Sequence, residues 1–171
     1  MKEEHLTYIL YEEGKSLELI SQLRRLDLDE VKRHIINAKL EKLENNNTFD
    51  NILLLPKEER IIAIKGINDE LLLEWINNFI KKSDFFTLYN ENTILSLFYI
   101  IGERKLIPLW EFVVKGLDSS KTNIRRISCS TLGKLGVIES IPFLQYMIKD
   151  SNKQVREYAE KSIEKLKALV D

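Results

Sequence analysis

Few side chains in this sequence are of the types that carry covalent or metal chemistry. Its 171 residues hold two histidines, His5 and His34, and one cysteine, Cys129. A single cysteine forms no intramolecular disulfide, and two histidines beside it fall short of the Cys/His set of a structural zinc site. Cys129 has no histidine near it in sequence and no electropositive signature of its own, so a small packing residue is expected there. Asp and Glu are plentiful, but no pair is singled out by an apolar setting that would tune a pKa for acid–base work. H-E-x-x-H, G-x-S-x-G, phosphate-loop and CxxC motifs are all missing. No enzymatic activity, cofactor or metal is expected.

The remaining chemistry is that of binding, and it starts at the N-terminus. Residues 5–44 read as three helices, about His5–Glu13, Ser16–Arg24 and Leu28–Leu43. Gly14 ends the first and Ser16 caps the second. Asp27, followed three residues later by Glu30, opens the third as a capping box does. Ile20 and Ser21, Leu26 after the turn, then Val31, His34 and Ile35 fall at helix-turn-helix spacing. With the lead-in Gly14-Lys15-Ser16, the segment resembles the modules of LuxR-type regulators and those appended to RecQ-type helicases. Arg25 departs from the usual Gly, and Glu30 from the usual Ser or Thr.

That resemblance implies duplex DNA as a partner, with the third helix in the major groove. Lys32, Arg33 and Asn37 are then the side chains for phosphates or base edges, and Arg24 and Arg25 touch the backbone. Charge weighs the other way. Residues 1–45 carry eight Lys/Arg against ten Asp/Glu, whereas phosphate affinity needs positive charge. The alternative is a trihelical protein-docking unit.

The rest of the chain repeats itself. Ile107-Pro108-Leu109-Trp110 aligns with Ile141-Pro142-Phe143-Leu144 at an offset of 34. Val113 and Val114 then fall on Met147 and Ile148, and one step back the face is Leu73, Ile76, Phe79 and Ile80. Second helices align at an offset of 31, Ile124, Ser128, Leu132 and Leu135 on Val155, Ala159, Ile163 and Leu166. The three-residue difference implies a longer turn at Asp118–Asn123 than at Asp150–Gln154. Gly102 is expected to act as Gly136 does, ending a helix in a left-handed residue. Burial is expected for Ile107, Trp110, Val114, Leu132, Leu135, Ile141, Leu144, Ile148, Ile163 and Leu166.

The pattern of Pro108, Asp118, Ile124, Arg125 and Leu132, then Pro142, Asp150, Val155, Arg156 and Ile163, resembles short HEAT repeats of phycobilisome-lyase-like proteins. The resemblance covers about residues 70–171 and implies stacked helical hairpins. It further implies that Arg125 and Arg156 tie each turn to the next. In such a stack the second helices line the concave side. Arg126, Ser130, Lys134, Lys161 and Lys165 would there form a mildly positive partner-binding groove, or an ordinary solvated face. Residues 103–171 do carry thirteen Lys/Arg against nine Asp/Glu.

The fold class expected is therefore all-α, a trihelical helix-turn-helix-like module (1–44), a linker (45–55) and HEAT-like helical repeats as an α-α superhelix (56–171). Within the last, Glu58–Lys65 would close one end of the stack. No apolar run long enough to span a bilayer occurs and the start is no secretory signal, so a cytoplasmic protein with no membrane partner is expected. Two functions stay open: DNA association through the N-terminal module with a protein partner on the repeats, or a protein–protein adaptor without nucleic acid.

Overall fold

Side-chain caps and a few left-handed residues decide where this chain stops being helical. In the computed structural model, which describes residues 2–42, 48–81 and 84–170, they punctuate twelve α-helices, and no strand occurs among the described residues. The all-α expectation holds. The chain divides into two units, Met1–Phe79 and Ile80–Asp171.

The first unit holds α1 (Glu3–Glu12), α2 (Leu17–Arg24), α3 (Leu28–Lys42), α4 (Thr48–Leu54), α5 (Lys57–Lys65) and α6 (Asp69–Ile80), whose last residue crosses the division. The first three match the expected trio. Gly14 turns the chain at φ 79° after α1. Ser16 Oγ accepts from Leu19 N at 3.2 Å to cap α2. Asp27 Oδ1 accepts from Glu30 N at 2.7 Å to open α3, so Asp27 satisfies a donor the helix itself leaves orphaned. Between α2 and α3, Arg25 takes the left-handed conformation at φ 53°, the one glycine adopts without strain. Ile20, Val31 and Ile35 are buried together, with Tyr8, Leu10, Leu17 and Leu26 packed around them.

Residues 48–54 correct the expected linker. They form α4, with Phe49, Ile52 and Leu53 buried at i, i+3, i+4 spacing and the Phe49 ring edge-on to Phe79 at 5.4 Å. This apolar period lies within the segment 45–55 that was expected to be a linker. Residues 45–47 lie outside the described residues. α5, expected to close the repeat stack, packs on α3 and α4 within the first unit.

The second unit holds α7 (Phe85–Leu88), α8 (Glu91–Glu103), α9 (Trp110–Lys115), α10 (Thr122–Leu135), α11 (Ile141–Met147) and α12 (Lys153–Lys167). α8, α10 and α12 begin at residues 91, 122 and 153, and α9 and α11 at 110 and 141. One offset of 31 therefore relates first and second helices alike, and the turns before α10 (116–121) and α12 (148–152) differ by one residue and not by three. The 34-residue alignment rests on the Ile-Pro pairs at 107–108 and 141–142. Pro108 lies in the 3-10 turn Ile107–Leu109 before α9, whereas Pro142 lies in the first turn of α11.

The slip of three residues rotates the first-helix face. Ile107 is 51% exposed and Ile148 38%, against expectation, and Trp110, Val114 and Ile141 are half-buried. The buried positions are Leu109, Val113 and Gly116, matched at 31 by Ser140, Leu144 and Met147. Leu132, Leu135, Leu144, Ile163 and Leu166 are buried as expected. Each such side chain contributes roughly 1.5–3 kcal/mol relative to exposure.

Backbone details follow the same register. Thr131 Oγ1 donates to Phe98 O at 3.2 Å, and 31 residues on Ser162 Oγ donates to Cys129 O at 2.8 Å. Gly102 is correspondingly the counterpart of Gly133, inside a helix, and not of Gly136. The left-handed partner of Gly136 (φ 74°) is Lys105 (φ 49°).

Candidate functional site

The N-terminal candidates all sit on or beside α3, a helix covered by α1 and α2 on one side and by α4 and α5 on another. Val31, His34, Ile35, Ile36 and Ala38 are buried. His34 Nδ1 lies 3.1 Å from the fully buried Thr7 Oγ1, which fixes its ring between α1 and α3. Arg24 reaches back across α1, hydrogen-bonding both the carbonyl and the carboxylate of Glu3, and its side chain is only 16% exposed. Arg33 pairs with Glu30 at 3.0 Å, one helical turn away. Asn37 Nδ2 donates to Glu4 Oε1 at 3.0 Å. Arg25 is exposed at the turn.

Lys32 makes no hydrogen bond or ion pair among the described residues. It lines a cavity of about 220 Å³ between α3 and α5, with Ile35, Ile36 and Ile62 as walls and Glu58 and Glu59 across from it. Arg33 faces a second hollow, of about 470 Å³, lined by Asp27, Asp29 and Glu30 together with Ile61, Ile62 and Lys65 of α5. Farther along, Lys39 is tied to Glu59 at 2.7 Å. The polar side of α3 thus looks onto α5 and onto carboxylates.

The C-terminal candidates come together as a row. At offsets of 31, Tyr99, Ser130 and Lys161 occupy one level of α8, α10 and α12, and Glu103, Lys134 and Lys165 the next. Lys134 pairs with Glu103 and lies 5.4 Å from the centre of the Tyr99 ring. Arg126 and Lys161 approach the Tyr158 ring at 5.6 and 5.8 Å. Cations over aromatic faces gain roughly 0.5–1 kcal/mol when exposed, and they keep their charge toward solvent. Tyr99 and Tyr158 are the partners that the sequence reading missed; a uniform 31-residue register would have placed them beside the lysines.

A ladder crosses the turns of the same unit. Arg125 Nη1 donates to the carbonyls of Ser119 (2.9 Å) and Ser120 (3.3 Å). Its Nε and Nη2 hold Asp150 Oδ2 and Oδ1 at 2.8 and 3.2 Å. Arg125 thereby joins its own turn to the next, as the repeat resemblance implied. At the 31 offset, however, Asp150 corresponds to Ser119 and not to Asp118. The hydrogen bond from Arg125 holds the Asp150 carboxyl below the usual carboxylate range against the opposing effect of burial.

Cys129 is buried, and burial pushes its thiol up to about 12. It is held as an unreactive thiol in the helix interior. No cluster of three metal-ligating side chains occurs among the described residues, and no helix among them is long and apolar enough to cross a membrane. Compared with known proteins, the chain matches no family model and no curated protein significantly.

Proposed function

We propose that this chain is a non-catalytic protein-binding scaffold whose row of α8, α10 and α12 receives an acidic segment of a partner. The observation that carries the reading is the row itself. Arg126 and Lys134 on α10 and Lys161 on α12 stand beside Tyr99 and Tyr158, and Lys165 follows one turn beyond Lys161. Lys134 is paired with Glu103, and the remaining cations of the row steer an oppositely charged segment to which the rings offer apolar contact. The 31-residue hairpins support reading the second unit as HEAT-like, an architecture suited to extended binding surfaces. The trihelical start supports a helix-turn-helix-like module serving as a docking element.

The second reading, duplex DNA on α3, is favoured by the cap and turn geometry of α2 and α3. It is weakened by the coverage of α3 by α5 and by the carboxylates engaging Arg24, Arg33 and Asn37.

Fluorescence anisotropy with two labelled probes, an acidic peptide and mixed-sequence duplex DNA, separates the readings. The peptide is expected to bind at low salt, to weaken as salt screens the lysines, and to be lost when Lys134 and Lys165 are both changed to Glu. Salt-sensitive DNA binding that disappears in the Lys32→Ala, Arg33→Ala protein would instead transfer the function to α3.

A further inference from the structure

Arg156 repeats only half of what Arg125 does. Its Nη1 donates to the carbonyls of Asp150 (2.7 Å) and Ser151 (3.1 Å), the counterparts at 31 residues of Ser119 and Ser120. Arg125 goes on to grip a carboxylate with Nε and Nη2. The same two donors of Arg156 meet no acceptor among the described residues, and neither is buried. A half-buried guanidinium fork is therefore held in orientation by its own turn, its charge acting also on Asp150, with Nε and Nη2 unfilled among the described residues.

The geometry points to Arg156 as a specific carboxylate-binding position, taking an Asp or Glu side chain of the partner segment. It rests on the scaffold reading above and adds an anchor to it. Three observations set the chemistry. The equivalent fork at Arg125 holds a carboxylate bidentately, the planar arrangement in which such charge-assisted pairs are strongest. The negative charge of Asp150 is already answered by Arg125, so it does not repel an incoming acid. Lys149, exposed at the turn, adds positive potential, and Lys153 beyond it is paired with Glu157 at 3.5 Å.

α10 presents Cys129 and Gly133 to α12, and their counterparts on α12 are the exposed Glu160 and Glu164. Two carboxylates there keep an incoming acid off that face of α12 and direct it to the turn, where Arg156 and Lys149 stand.

The test is anisotropy with an end-blocked peptide of alternating Asp and Ser, titrated with the full chain and its variants. Arg156→Gln is expected to weaken binding about tenfold or more, since one charge-assisted pair is lost. Arg156→Lys keeps the charge without the fork and is expected to fall between. It also serves if the Gln variant loses helicity on circular dichroism. Unchanged affinity in both variants, with binding still abolished by the Lys134 and Lys165 reversals, would overturn the Arg156 anchor and leave the scaffold standing. No binding by the unaltered protein would overturn both. A phosphoserine peptide or duplex DNA bound more tightly through Arg156 than the Asp peptide would overturn the carboxylate assignment.

Discussion

Arg125 and Asp150, 25 residues apart, form a two-point pair in which the arginine side chain is 15% exposed and the aspartate 7%. The pair spans two turns that local sequence alone would leave independent. Asp150 also accepts the Asn152 N–H at 2.8 Å, so one carboxylate organises both its own turn and its neighbour's.

The folded pKa of Asp150 lies below its unfolded value, near 3.9, because Arg125 favours the charged form. The resulting stability is fully present above the unfolded pKa and disappears as pH falls through the folded one. Asp150→Asn is expected to cost about 1.5–3 kcal/mol in urea unfolding near neutral pH. The deficit should shrink as pH falls below the unfolded value and through the folded one; a deficit independent of pH would show that the carboxylate charge is not what holds the turns.

The repeat register gives a paired test. Leu132→Ala is expected to lose about 2–5 kcal/mol, since Leu132 is wholly buried. Ile107→Ala, at a position 51% exposed, is expected to lose under about 0.5 kcal/mol. Comparable losses at both sites would restore the 34-residue face and discard the uniform offset.

Gly133 tests how closely α10 and α12 must approach. A β-carbon there would stand 2.5 Å from Ser162 Oγ and 2.8 Å from its Cβ, and 3.1 Å from its Cα, which the backbone fixes. Gly133→Ala is expected to destabilise by about 1–3 kcal/mol despite the higher helix propensity of alanine. At Gly66 nothing lies within 4 Å and φ is −87°, so alanine should be neutral or stabilising by up to about 1 kcal/mol. Equal effects at the two sites in chemical denaturation would mean that backbone entropy, not contact, governs both.

How much of this was legible depended on whether the signal was local. Ser16, Asp27 and Gly14 act within a few residues of themselves, and the ends of α1, α2 and α3 could be read from them. The second-helix repeat was equally legible, because Leu132 and Ile163 are buried with the same period. The first helices were not. A matching Ile-Pro pair outweighed the pattern of burial, although proline fits either a 3-10 turn or a first helical turn. α4 was missed because its first apolar residue, Phe49, stands between Asn45-Asn46-Asn47 and Asp50-Asn51, which mask the helical period. The wall that α5 raises opposite Lys32 and Arg33 depends on tertiary packing, which spacing along α3 does not encode. The openness of Arg156 became visible only beside the filled pair at Arg125.

Arg25 carries the last test. It sits at φ 53° between α2 and α3, where an L-residue is strained by roughly 1–2 kcal/mol, and its N–H and that of Leu26 close the turn onto Gln22 O and Ser21 O. Arg25→Gly removes that strain but loosens the unfolded chain, so a net gain of about 0.5–1 kcal/mol in thermal or urea unfolding is expected. The same variant bears on function. Arg25 is exposed and no carboxylate among the described residues engages it, so on the DNA reading it is the candidate most available to a phosphate. On the scaffold reading the glycine protein gains stability and keeps its affinity for the acidic peptide unchanged. If it gains stability yet loses a measurable DNA affinity, with a salt slope shallower by about one phosphate contact, then α3 is a reader of nucleic acid after all.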